Sequence, residues 1–212
     1  MSVPKTVLQK EHCALTFGTP VSSYLWPDSD ALNAELAKII LQKEKAGLGA
    51  ATRGKVEGWR SEHDLFRWDA ECVQTLRERV TTCALDMTRL VTASQHPRKV
   101  NLQMDCWANV LRRGQYNIVH DHPGATWSGV YYVSDGKRDN DDRLNGKLEL
   151  LDPRMGVNVL GREEGRYFVE PLPGLMVMFP SWLKHMVHPF FGSGERISIS
   201  FNASVQFQQQ TT

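Results

Sequence analysis

The 212-residue chain has no dense run of basic residues, no internal repeat, no CxxC pair and no apolar stretch of membrane-spanning length. Each absence excludes a class of function. Lys and Arg number 25 against 24 Asp and Glu, a net charge of +1, so no global field draws the protein to nucleic acid or to an anionic membrane. A helix crossing a bilayer needs roughly 20 apolar residues in a row, and no segment approaches that. The opening residues, MSVPKTVLQKEHCALTFG, lack the apolar core of a signal peptide. The expected location is therefore the cytoplasm, with Cys13, Cys72, Cys83 and Cys106 as reduced thiols. A hydrophobic share of 41% with 23% charged residues is ordinary for a globular protein, and the length suits one domain with a real core.

Helical patterns come first along the chain and strand patterns follow. Ala14–Phe17 reads as a short edge strand, and Asp28-Ser29-Asp30 offers N-cap residues to a helix carrying Leu32, Leu36, Ile39 and Ile40 and ending at Gly47. A second helix after Asp69 has an apolar stripe of Val73, Leu76, Val80, Cys83, Met87 and Leu90, and His96-Pro97 stops it. From Val100 the period becomes two. Candidate strands then run over 100–108, 116–122, 127–133, 147–151, 167–169, 175–179, 186–189 and 196–205, separated by Gly, Pro and Asp turns. This order predicts an α+β fold: a jelly roll at 100–205, buttressed by mainly helical support at 1–99, all within one domain at 1–212. The tail 206–212 is polar and reads as frayed. Segment 134–145 carries four aspartates but lacks the glycine and glutamate of an EF-hand register, so it reads as a solvated hairpin loop. Segment 154–166 reads as a flap over a site or a long connection.

The chemistry gathers around YNIVHDHPGATWSGVYYV, residues 116–133. On a strand His120 and His122 share one face and Asp121 takes the other, so the two imidazoles can grip one metal ion. Two ligands hold a metal poorly, and His185, in FPSWLKH, is the best third candidate. His188 lies three residues further on, a spacing that prevents a strand from aiming both histidines inward.

His120-x-His122, His185 and Arg196 eleven positions later resemble the iron(II), 2-oxoglutarate-dependent oxygenases, and most closely a small bacterial group of them. The motifs that carry the resemblance are Trp107–Asn109, Gly114–Asn117, His120–Pro123, Ser128–Tyr132, Asp152–Arg154, Phe179–His185 and Arg196–Asn202, with Gly58-Trp59-Arg60-Ser61 as a looser upstream anchor over the barrel mouth. The resemblance implies a double-stranded β-helix, cupin-like, that binds Fe(II), then 2-oxoglutarate, then O2. It further implies hydroxylation of a small-molecule or peptide substrate, with succinate and CO2 as co-products. It assigns the metal to His120, His122 and His185, with His188 outward or behind the ligands. The cosubstrate carboxylate goes to Arg196, helped by Ser198 and Ser200 hydroxyls and by a phenol from Tyr132 or Tyr116, while Asn109 reaches the metal end. Trp59, Trp127 and Trp182 are candidate pocket walls. The usual ligand set is two histidines and one carboxylate, and here His122 stands where that carboxylate belongs. A bulge could instead turn Asp121 inward. Two other readings stay open: a cupin-type three-histidine dioxygenase that uses no 2-oxoglutarate, and a non-enzymatic jelly-roll binding module. The substrate and the oligomeric state, including a homodimer, stay open as well.

Overall fold

A computed structural model describes residues 18–50, 58–92, 100–139, 144–154 and 166–207. The elements are β1 (Ser22–Leu25), α1 (Asp30–Lys45), β2 (Trp59–Arg60), a 3-10 turn (Leu65–Arg67) and α2 (Glu71–Thr92). Then follow β3 (Val100–Leu111), β4 (Asn117–His120), β5 (Trp127–Asp135), β6 (Leu148–Leu151), β7 (Arg166–Val169), β8 (Leu175–Pro180), β9 (His185–Val187) and β10 (Arg196–Phe207). The pairings between these strands are antiparallel and form two sheets, ordered β1-β8-β5-β10-β3-β2 and β4-β9-β6-β7. This is the expected α+β jelly roll. No helix among the described residues is long and apolar enough to cross a membrane.

Strand alternation divides the core into two layers. Outward-facing residues of the large sheet, among them Ala108, Tyr131, Met178 and Ile199, pack with Leu36 and Ile40 of α1 and with Val73, Leu76, Val80, Cys83 and Met87 of α2. Inward-facing Leu111, Tyr132, Val177 and Phe179 meet Leu148, Leu150 and Val187 of the small sheet. The adjacent Tyr131 and Tyr132 thus serve opposite layers. Tyr131 donates its hydroxyl to Asn33 Oδ1 at 2.7 Å, and Trp127 donates Nε1–H to Thr88 Oγ1 at 2.9 Å, so both buried polar tips are satisfied.

Several local expectations are corrected. The stripe of α2 ends at Met87, because Leu90 is 76% exposed. Ser29 sits at the N-cap of α1, but its hydroxyl donates to Trp26 O instead of capping. Gln206 and Phe207, expected to fray, pair with Asn101 and Val100 at the end of a twelve-residue strand. Among the described residues, the segment expected to be mainly helical also supplies strands to the large sheet: β1 pairs with β8 and β2 with β3. Segment 134–145 links β5 of one sheet to β6 of the other, so it is a crossover and not a hairpin loop. Its Asn145 is buried and bonds with Asp139 O, Phe191 O and Phe191 N. The strand expected at Ala14–Phe17, the His96-Pro97 stop, residues 140–143 and 155–165 of the two long segments and the tail 208–212 lie outside the described residues.

Gly129, in the middle of β5, lets the two core layers close. A Cβ there would sit 2.4 Å from Phe201 Cζ and 2.5 Å from Val177 O. Gly129→Ala is therefore expected to cost about 1–3 kcal/mol of overpacking, measured as a lower midpoint in chemical denaturation.

Candidate metal and cosubstrate site

Between the sheets lies a cavity of about 230 Å3. The small sheet and the turn after β4 supply three histidines to it. His120 closes β4 and faces His185 of β9 across the ladder, at a register irregularity between Asn117 and His120. His122 follows the strand end, held by its backbone N–H donating to Ser181 O at 2.9 Å. The three imidazoles each offer one nitrogen, and these nitrogens lie within 4.8 Å of one another. His120 Nδ1–H donates to Ile118 O at 2.7 Å and His185 Nδ1–H to Leu183 O at 2.9 Å. A carbonyl accepts only from N–H, so both rings are fixed with the lone pair on Nε2, the form a metal needs. Burial pulls the His185 pKa down to about 3, and the neighbouring His120 adds to the shift, which keeps the ring neutral.

Asp121 lines the same cavity, but its carboxylate is not one of the clustered ligand atoms. It acts on His185 through charge, favouring the protonated ring against the larger effect of burial. The donor set fits a divalent ion of borderline softness: three imidazoles on one side and an open cavity on the other.

The large sheet supplies the other wall. Trp107 and Asn109 of β3, Val130 and Tyr132 of β5, and Arg196, Ser198 and Ser200 of β10 all face the cavity. Arg196 is 1% exposed. Its Nε–H donates to Gly146 O at 3.0 Å and its Nη1 to Ser198 Oγ at 3.3 Å. No carboxylate among the described residues pairs with it. Burial pulls its pKa below the ordinary arginine value; Tyr132 opposes the shift and Arg138 adds to it. A guanidinium nevertheless stays charged at neutral pH. Beside it, 5.4 Å from guanidinium carbon to ring centre, Tyr132 buries a hydroxyl with no hydrogen-bond partner among the described residues, and burial pushes its pKa up to about 12. Such an arrangement is costly unless something anionic arrives.

Of the residues named from sequence, the cavity brings together His120, His122, His185, Asn109, Tyr132, Arg196, Ser198 and Ser200. Tyr116 is half-buried just before β4 and does not line it. Trp59 packs against the outer core, Trp127 is within it, and Trp182 is 51% exposed, so none of these walls the pocket. Trp107 does, with its ring 4.1 Å from His63 and 5.5 Å from His122. His188 is not outward: it is buried, with its ring N–H donating to Glu149 Oε2 at 2.6 Å. Sequence reading missed Arg60, His63 and Asn117, the last with a buried Oδ1 that has no partner. Gly-Trp-Arg-Ser was the only signal pointing toward Arg60.

Residues 105–202 match a family model described as "Putative 2OG-Fe(II) oxygenase". No match was found among curated proteins. Among solved structures, a prolyl-4-hydroxylase from Pseudomonas putida superposes with a TM-score of 0.63 at 17% identity, covering 89% of this chain and 93% of that one. A prolyl hydroxylase from Trichoplax adhaerens, solved with a peptide of hypoxia inducible factor, gives 0.58 at 14% identity, covering 89% and 84%. A non-heme alpha ketoglutarate dependent carbocyclase from nogalamycin biosynthesis gives 0.61 at 12%, covering 90% and 82%. At these identities the likeness speaks for the fold, while the motif-bearing segment 105–202 is similar to the putative 2OG-Fe(II) oxygenases.

Proposed function

We propose that the protein is an Fe(II)- and 2-oxoglutarate-dependent oxygenase that hydroxylates a small-molecule or peptide substrate. The observation that carries this reading is one cavity with a three-histidine cluster on one wall and a buried, carboxylate-free Arg196 on the other. His120, His122 and His185 would hold Fe(II) through one ring nitrogen each. Arg196 receives the distal carboxylate of 2-oxoglutarate, where two parallel N–H groups suit a carboxylate. Tyr132 donates its phenol proton to the same oxygens, which satisfies the hydroxyl that otherwise has no partner. Ser198, already bound to Arg196, holds the guanidinium in place and offers its own proton. Asn109, tied to Ser200 by a 3.0 Å bond, lines the cavity beside them. When bound, Fe(II) supplies the redox chemistry that couples decarboxylation of 2-oxoglutarate, giving succinate and CO2, to oxidation of the substrate by O2. Three neutral ligands leave the full charge of a divalent ion, and a dianionic cosubstrate matches it.

A cupin-type three-histidine dioxygenase has one observation in its favour, namely that the clustered ligands include no carboxylate. It leaves the buried Arg196 charge unexplained. Anaerobic Fe(II) titration with and without 2-oxoglutarate separates the two. The proposed enzyme should develop a weak metal-to-ligand charge-transfer band and gain thermal stability at millimolar 2-oxoglutarate, because a ligand that binds only the folded state must stabilise it. Band and shift both absent, with iron bound, would transfer the protein to the cupin-type reading.

The ligand set has its own test. His122→Ala should leave the site largely empty after anaerobic reconstitution. Asp121→Ala should keep its iron but bind it roughly 10- to 100-fold more weakly, the usual loss when a group supporting the ligands is removed. The opposite ranking in an iron assay would make Asp121 the third ligand.

A further inference from the structure

The cavity holds a second cation that the cosubstrate does not require. Arg60 lies on the edge strand β2, where its backbone pairs with Asn109. The next residue fixes that register: Ser61 is buried, its N–H donates to Ala108 O at 3.0 Å, and its Oγ accepts from Ala108 N at 2.9 Å. Arg60 therefore cannot slide along β3. Its side chain lines the cavity, and its Nε–H is buried with no hydrogen-bond partner. Among the described residues no carboxylate pairs with this guanidinium. A buried, always-charged donor without an acceptor is a cost that calls for a ligand.

The register also places Arg60 relative to the rest of the site. Across the sheet the row runs Arg60, Asn109, Ser198, Tyr132, so Arg60 is level with Ser198 but at the sheet edge, two strands away from it. Arg196 is two residues further along β10, roughly 10 Å or more from Arg60 by strand spacing and rise. Three residues beyond Arg60, His63 stacks on Trp107 at an interplanar angle of 14°, with its Nδ1 held by Asp105 at 2.8 Å. Trp107 in turn lies against His122. Arg60 and His63 thus flank the cavity from the β2 side, beside the histidine cluster rather than beyond Arg196.

We propose that Arg60 is the specificity residue for the primary substrate, which presents an oxyanion, a carboxylate or a phosphate, to this edge while its reacting carbon faces the three histidines. The proposal rests on the oxygenase reading of the same cavity. One anion at Arg196 and a second at Arg60 would let the site hold cosubstrate and substrate together without competition for one guanidinium. The His63–Trp107 stack keeps the intervening wall rigid, so that an anchored substrate has one orientation.

The test reads the Arg60 Nε–H signal by NMR in protein loaded with Zn(II), a diamagnetic stand-in for Fe(II), and saturated with 2-oxoglutarate. Arg60→Lys assigns the signal by removing it. Acetate, acetamide and inorganic phosphate are then titrated. Acetate should move the Arg60 signal saturably and acetamide should not. In Arg60→Gln the acetate affinity, read on the Trp107 indole N–H, should fall at least tenfold, with 2-oxoglutarate affinity unchanged. Phosphate binding more tightly than acetate would support the proposal and assign the oxyanion to a phosphoryl group. No saturable shift, an equal shift with acetamide, or a loss of 2-oxoglutarate affinity in Arg60→Gln would overturn it, the last by making Arg60 part of the cosubstrate site. If 2-oxoglutarate itself fails to bind while acetate still titrates Arg60, the cosubstrate reading falls and the anion site stands.

Discussion

Replacing Arg196 with methionine is expected to abolish 2-oxoglutarate binding while leaving the cosubstrate-free protein as stable as before, or more so. The two effects have one cause. The guanidinium is 1% exposed and, among the described residues, is bonded to a carbonyl and a hydroxyl and pairs with no carboxylate. Removing one partner of a buried charge pair costs about 2–5 kcal/mol, which is roughly 30- to several-thousand-fold in affinity. Without cosubstrate the sign reverses. A buried charge lacking its counter-charge is a burden, and an apolar side chain of similar length relieves it. Calorimetric titration of 2-oxoglutarate should therefore show no saturable binding in Arg196→Met. Iron content should match the parent, and the denaturation midpoint of the cosubstrate-free variant should be equal or higher. A variant that keeps its 2-oxoglutarate affinity, or that loses several kcal/mol of stability, would make Arg196 a structural brace for the turn at Gly146.

The parts of this site that were legible in the sequence depend on short-range geometry. Period two puts Arg196, Ser198 and Ser200 on one side of β10, and the same rule paired His120 with His122, although β4 ends at His120, Asp121 lines the cavity as well, and His122 is placed by its bond to Ser181 O. His185 and its match to His120 required the family motifs, because nothing local says which distant strand will pair with β4. The residues that were missed follow the same division. Arg60 enters the cavity only because β2 pairs with β3 at Asn109, and His63 only because the chain after Ser61 lays its ring on Trp107. Tryptophan was recognised as wall material, but which tryptophan faces inward depends on the phase of each strand and on the sheet that it joins. The single-residue phase difference between Tyr131 and Tyr132 sends one to the helices and the other to the cavity. His188 was misplaced for a related reason. Leu148, Glu149 and Leu150 alternate like a half-exposed strand, which suggests that Glu149 is in water. In the fold Glu149 itself is buried between Arg166 and His188, so the carboxylate takes partners in place of water.

Glu149→Ala is expected to lower stability by about 3 kcal/mol at neutral pH, which for a chain of this size is a fall of roughly 6–12 °C in Tm. Glu149 is 1% exposed and sits between Arg166, which grips both carboxylate oxygens, and His188, which donates at 2.6 Å. Removing the carboxylate from such a group strands its partners, and breaking a buried pair in this way typically costs about 3–5 kcal/mol. The lower end applies here, because the Arg166 side chain is 34% exposed and can turn toward water. The pH dependence is fixed by the same contacts. Burial pushes the Glu149 pKa up, but the hydrogen bonds from Arg166 and His188 overcome it and hold the carboxyl below its ordinary value of 4.5. A carboxylate with a depressed folded-state pKa contributes its full stability above the unfolded value, and that contribution fades as pH falls through the folded one. The stability gap between parent and Glu149→Ala should accordingly be constant from neutrality down to about pH 5 and shrink below pH 4.5, as the parent's carboxylate takes up its proton. Denaturant titrations of the two proteins at pH 7, 5 and 3 measure it directly. A gap that is absent at pH 7, or that widens with acid, would show that the three side chains sit together without stabilising the small sheet on which two of the three histidines stand.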